Sequence, residues 1–211
     1  MSRPLDIGID QIKNLLVKMG NLADETLELA LKGFFEKEDT YVQTKAWSNT
    51  ILMLAEEVED RATELLALHQ PMATDLRTLK AYIKIAYDLE RYGRYAMDIS
   101  DIMNRIGAWR PLEDEDIFIK LADSAKRCVE ISIETIRTMN EKLIWELSKI
   151  EAETDELYFE ALKILSEVEA SSKTVVAYLL TVRYLERIAD HSSYVSESIS
   201  YAVTGKRIAL R

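Results

Sequence analysis

Apolar and small residues recur in alternating steps of three and four along most of the chain, the period of helices with one buried face. The first run is Ile12, Leu15, Met19, Leu22, Thr26, Leu29 and Gly33. Asp39-Thr40 restarts the chain with an N-cap signal, and a second helix is predicted up to Leu68, ahead of His69-Gln70-Pro71. A third starts near Thr74-Asp75, turns Leu79, Ile83, Ala86, Gly93, Met97 and Ser100 inward, and ends at Ile106-Gly107, a C-cap pattern. The stretch Gly107-Ala108-Trp109-Arg110-Pro111 breaks the period. The acidic run Glu113-Asp114-Glu115-Asp116 then loads the first turn of a fourth helix, whose inner stripe holds Ile117, Leu121, Ser124, Cys128, Ile131 and Thr135. Asn140 caps a fifth helix, with Leu143, Leu147, Ile150, Thr154, Leu157, Ala161, Ile164 and Val168 inward, and Ser171-Ser172 caps a sixth that ends at Gly205. Six long helices on short connections predict an all-α fold of up-down bundles.

Composition agrees and narrows the function. Among 211 residues there are 6 Gly and 3 Pro, against roughly 12% for the two together in an average protein, which argues against sheets and loop-rich folds. The 27 basic and 37 acidic residues give a net charge of −10. Nucleic acid and anionic lipid are disfavoured as main partners, because counterion release needs a basic face. A single cysteine, Cys128, gives no internal disulfide framework and fits a reducing compartment. With no signal-peptide pattern and no apolar run near membrane-spanning length, the expectation is a cytoplasmic protein, at most peripheral to a membrane.

The chain repeats itself. At an offset of 96, Ala81-Tyr82 falls on Ala177-Tyr178 and Leu89-Glu90-Arg91 on Leu185-Glu186-Arg187. The expected organisation is two tandem antiparallel three-helix bundles, residues 1–107 and 112–211.

The repeat places acids where the apolar stripe runs. Steps of three and four from Val182 lead to Glu186, and Asp190 lies one turn further, so both carboxylates share a face. Counting back from the turn near residue 170, Glu151 and Asp155 come level with Glu186 and Asp190 in an antiparallel pair of helices. Four facing carboxylates without histidine form a hard-oxygen site suited to Mg²⁺, Mn²⁺, Ca²⁺ or iron. The competing reading is a solvated, charged helix face, with Arg183 and Arg187 satisfying Glu186. In the first half Glu56 and Asp60 repeat the spacing and Glu90 faces them. The fourth slot, however, is Arg94, which pairs with acids rather than joining them.

Pro71-Met72-Ala73-Thr74-Asp75-Leu76-Arg77 followed by Asp88-Leu89-Glu90-Arg91 resembles the first-repeat signature of the PhoU family, the accessory regulators of bacterial and archaeal phosphate uptake. Leu185-Glu186-Arg187-Ile188-Ala189-Asp190-His191 resembles its second-repeat signature, and Tyr201-Ala202-Val203-Thr204-Gly205 its usual ending. The resemblance covers nearly the whole chain in order. It implies paired three-helix bundles whose E/D-x-x-x-D motifs bind metal, in some members as multinuclear iron clusters. It also implies a non-catalytic regulator beside the phosphate ABC transporter and a sensor histidine kinase. Glu151-x-x-x-Asp155 and Glu186-x-x-x-Asp190 match the motif, as does Glu56-x-x-x-Asp60. Glu90-x-x-x-Arg94 breaks it and puts a first-repeat cluster in doubt.

Other chemistry is thin. His69 reads as a loop residue, and His191 as a surface residue or a hydrogen-bond partner behind a ligand carboxylate. Cys128 reads as a small core side chain. Tyr82, Tyr87, Tyr92 and Tyr95 suit an interaction surface or inter-bundle packing alike. Trp47, Trp109 and Trp145 suit contact surfaces or packing. A di-metal carboxylate enzyme is the rival function, but such oxidases pair Glu with Glu-x-x-His, and Glu186 and His191 are five apart. A metal-free interaction or chaperone-like module is the third reading. A homodimer is expected of an acidic bundle.

Overall fold

The computed structural model describes residues 3–210. Six α-helices account for the regular structure of those residues: α1 (Pro4–Glu36), α2 (Tyr41–His69), α3 (Thr74–Ile106), α4 (Asp116–Thr138), α5 (Glu141–Glu167) and α6 (Ser172–Thr204). At 33 residues each, α1, α3 and α6 are about 50 Å long. None of the helices is long and apolar enough to cross a membrane.

The ends follow from local chemistry. Asn140 accepts from the Lys142 N–H and Ser171 from the Thr174 N–H, each satisfying a donor that the first helical turn leaves open. Gly205 closes α6 at φ 75°, a conformation that a Cβ disfavours. At α2 the capping oxygen comes from Asp39, which accepts from the Tyr41 N–H at 3.1 Å; the Thr40 side chain makes no cap bond.

One boundary differs from expectation. α4 begins at Asp116, with Glu115 as its N-cap residue, so Glu113 and Asp114 stay in the linker. Tertiary contacts hold the residues on either side of them. Tyr178 on α6 donates its hydroxyl proton to the Glu115 carboxylate, and its oxygen receives the Leu112 N–H. Trp109 is buried against Phe34 with ring centroids 5.2 Å apart, and the Lys37 ammonium lies 4.4 Å from the Trp109 ring. The segment between the halves is therefore pinned to the end of α1 and to α6.

Helices α1, α2 and α3 pack on one another, as do α4, α5 and α6, and the halves join through α3 on α6 and α1 on α4. Among the described residues α2 and α5 touch only helices of their own half; they are the outer walls. A single hydrophobic core runs through both halves, with Ile12, Leu16, Met19 and Leu27 of α1, Ile85 and Leu89 of α3, Leu121 and Val129 of α4, and Ile188 and Val195 of α6. Each such side chain contributes about 1.5–3 kcal/mol by leaving water. On α1 the buried line runs through Leu16, Ala23, Leu27 and Ala30, while Leu15, Leu22 and Leu29 are half-buried. Contact with three neighbouring helices widens and rotates that stripe. Close approach of α1 to α4 needs Gly20, where a Cβ would stand 2.7 Å from Ile133 Cγ1.

Tyr92 ties the halves at their centre. It is fully buried, and its hydroxyl lies 3.1 Å from Ser132 Oγ on α4 and 2.9 Å from Ser192 Oγ on α6. Both serine hydroxyls already donate to carbonyls of their own helices, so both oxygens accept, and the single Tyr92 hydroxyl proton is shared between them.

Candidate metal centre

Helix α5 approaches α6 on one side and α4 on the other. Glu151 and Asp155 sit one turn apart on α5, and α6 brings Asp190 against them. One oxygen from each of the three carboxylates lies within 4.8 Å of the other two. Among the described residues this is the one such convergence of His, Cys, Asp or Glu. Glu151 and Asp190 are only 4% and 5% exposed, and Asp155 is half-buried.

Three acids this close repel one another, and burial strengthens the repulsion by removing water. Two arginines of α6 approach this cluster. Arg187 Nη1 donates to Asp190 Oδ2 at 3.3 Å and Arg183 Nη1 to Glu186 Oε2 at 2.7 Å, and both arginines are half-buried. All of the converging donors are hard oxygens. That is the set for Mg²⁺, Mn²⁺, Ca²⁺ or iron and not for a thiolate-bound zinc, and the residues present fit such an ion.

Glu186, the fourth sequence candidate, stands one turn before Asp190 and outside the converging trio. Its carboxylate rests on Arg183 and Arg187. Its pKa is raised, first by burial and then by the charges of Asp190 and Asp155, with the two arginines opposing. Asp155 and Asp190 are thus within electrostatic reach of Glu186, which flanks the trio.

In the first half the corresponding seam lies between α2 and α3. Glu90 is buried there, with Arg94 Nη2 at 3.4 Å and Arg91 Nε at 3.5 Å from its oxygens. Glu56 and Glu59, with Glu90, Arg91 and Arg94, line a groove of about 560 Å³. Asp60 is exposed and outside that lining; Glu59 takes the place that i, i+4 spacing assigned to it. In this seam two arginines supply the positive charge next to the buried acid.

Two residues read cautiously from sequence have definite places. Cys128 is buried with its thiol pushed up to about 12 by burial, and it packs against Thr154 of α5. His191 is neither a surface residue nor partner to a ligand carboxylate. Its Nδ1 lies 2.8 Å from Asp88 Oδ1 across the α3–α6 seam, among the rings of Tyr87, Tyr95 and Tyr194. Burial raises the Asp88 pKa, against the opposing effect of His191. A signal for this pair existed in the 96-residue offset. It relates Asp88 to Tyr184 and Tyr95 to His191, and Tyr95 and Tyr184 also meet, stacked at 6.0 Å. The same two positions therefore touch twice across the seam, once as acid and histidine and once as two rings.

The family model described as the PhoU domain matches residues 16–103 and again 118–199. A phosphate-specific transport system accessory protein PhoU homolog of Synechocystis sp. is 26% identical over 203 residues, covering 94% of this chain and 91% of its own length. A protein of the same description from Clostridium acetobutylicum is 26% identical over 208 residues, covering 96% and 95%. Among solved structures, PhoU from Pseudomonas aeruginosa superposes with a TM-score of 0.84 at 20% identity, over 95% of this chain and 99% of that one. The phosphate transport system regulatory protein PhoU from Streptococcus pneumoniae does so with 0.87 at 20% identity, over 97% and 99%. The first match lies within α1–α3 and the second within α4–α6, together most of the sequence, and on that ground the chain belongs to the PhoU family.

Proposed function

We propose that this protein is a phosphate-transport accessory regulator that works by docking on other proteins and carries one metal site, in its second half. The regulatory reading is supported by relatives described as phosphate-specific transport system accessory proteins, aligned over more than nine-tenths of the chain. On this reading its partners are components of the phosphate ABC transporter and a sensor histidine kinase. It acts as a homodimer in the cytoplasm, touches a membrane at most peripherally and catalyses no reaction. The two halves, 1–107 and 112–211, are taken as copies of one unit.

The observation that carries the site is the convergence of Glu151, Asp155 and Asp190 within 4.8 Å. Those residues would hold the ion, with Glu186 beside them. Iron, manganese, magnesium and calcium are the candidates by donor type. When bound, the ion would add positive charge among three crowded carboxylates. The residues then do the rest: Glu151 and Asp155 hold α5, Asp190 holds α6, and the outer face of that pair becomes the docking surface that occupancy stiffens. In the first half Arg94 and Arg91 take over the ion's part.

The test is elemental analysis of protein purified anaerobically under metal-replete conditions, beside a Glu151→Gln/Asp190→Asn double variant. Near-stoichiometric metal in the wild type and loss in the variant is the expected result. A wild type without metal removes the site and leaves the docking role to be tested by co-purification with the transporter.

A further inference from the structure

We propose that a second site, on the side of α6 towards its C-terminal end, binds a small organic polyphosphate of the nucleoside di- or triphosphate class. A cavity of about 410 Å³ lies between α3, the end of α6 and the segment after Gly205. Its size falls in the range of small-ligand sites. The cavity is built by three local arrangements. Lys80 and Lys84, one turn apart, put two ammonium groups on one face of α3. Glu197 and Tyr201 do the same with a carboxylate and a ring on α6. Past Gly205 the chain folds back, the Leu210 N–H donating to Glu197 Oε1 at 3.1 Å. Ile208 and Leu210 then pack on the core. That return places Arg207 over the Tyr201 ring, 5.6 Å from its centroid.

The charge is what sets this cavity apart. In a chain of net −10, the arginines near the carboxylate seams, Arg91, Arg94, Arg183 and Arg187, are all ion-paired. Lys80, Lys84 and Arg207 line one cavity with no carboxylate within 4.0 Å among the described residues. Glu197, the one acid in the lining, has an oxygen taken by Leu210. One turn before Lys80, the Arg77 guanidinium stands against Gly205, and its buried Nε–H meets no acceptor among the described residues. Three cations against Glu197, with Lys84 also acting on buried Asp88, call for an anionic ligand. Tyr201 and Ile208 supply an apolar wall that a bare phosphate would leave wet, so the ligand needs a ring as well as an anionic end.

The experiment is calorimetric titration of the full chain in EDTA with ADP, ATP, pyrophosphate and inorganic phosphate. ADP or ATP binding at least about tenfold more tightly than pyrophosphate or phosphate is expected. Lys80→Gln/Lys84→Gln, a change of two exposed side chains, should weaken it by a further factor of about ten or more, since a hydrogen bond to a charged group is worth that much. Glu151→Gln/Asp190→Asn should bind unchanged, which separates this cavity from the carboxylate site. The proposal is overturned by absence of nucleotide binding, by pyrophosphate binding as tightly as ADP, or by binding that survives the lysine replacements. Loss in Glu151→Gln/Asp190→Asn overturns it too, by moving the ligand to the metal centre. Vesicles of anionic lipid or an acidic peptide that bind through these lysines while nucleotides do not would assign the cations to a macromolecular partner and overturn it as well.

Discussion

Replacing Glu151 by glutamine should make the metal-free protein more stable while abolishing its response to metal. The oxygens of Glu151, Asp155 and Asp190 lie within 4.8 Å of one another. At that separation, two unit charges in an effective dielectric of about 20 repel by about 3.5 kcal/mol. Glu151 takes part in two such pairs. Arg187 on Asp190 and the partial exposure of Asp155 reduce the effect, leaving about 2 kcal/mol as the expected gain, with the isosteric amide keeping the packing. For a chain of this length that is a rise in Tm of about 4–8 °C. The opposite sign applies with metal. An ion present at about 100 times its Kd stabilises the wild type by about 2.7 kcal/mol and the variant not at all. Thermal melts of both proteins in EDTA and in saturating Mn²⁺ or Mg²⁺ read out all four numbers. A metal-free variant that melts below the metal-free wild type would refute the repulsion. Equal shifts on adding metal would refute the site.

In the first half, Arg94→Asp should cost roughly 1–2 kcal/mol in EDTA, because buried Glu90 loses one of its two arginines and gains a like charge one turn away. Elemental analysis should then find additional metal in this variant over wild type. Tyr92→Phe should cost about 1 kcal/mol, the price of one buried hydrogen bond whose serine partners keep their own acceptors, whereas Tyr92→Ala should cost about 3–5 kcal/mol through the cavity. Urea unfolding of the two variants separates these values. Asp24 on α1 is half-buried, and its pKa is raised above the ordinary 3.8 by burial, with Lys126 opposing and Glu130, Glu28 and Glu25 adding. Its folded form holds its proton more tightly than the unfolded chain does. Wild-type stability measured against Asp24→Asn should therefore fall as pH rises from about 3.8 through the raised value and level off above it. Urea titrations from pH 3.5 to pH 7 check the sign; a difference that grows with pH would be inconsistent with it.

Much of this molecule was legible in one dimension. Helix periodicity, the Asn140 and Ser171 caps and Gly205 mark out the elements, because caps and amphipathic stripes act within a few residues. The i, i+4 acids of α5 could be found the same way, and counting back from the turn brought Glu151 and Asp155 level with Glu186 and Asp190. Spacing could not choose between Asp190 and Glu186. Both lie on one face of α6, and only the rotation of that helix against α5 decides which carboxylate meets Glu151 and which meets Arg183. The acidic run at 113–116 misled for a like reason: Glu115, bound by Tyr178 of α6, is the N-cap residue of α4, and Glu113 and Asp114 stay before it. His191 finding Asp88 103 residues away, and the tail after Gly205 closing a basic cavity, belong wholly to tertiary structure. Local free energies act between neighbours in the chain and need no knowledge of the rest. A pair across a seam exists only after two halves have packed, and then the shared burial, not the spacing, sets its chemistry.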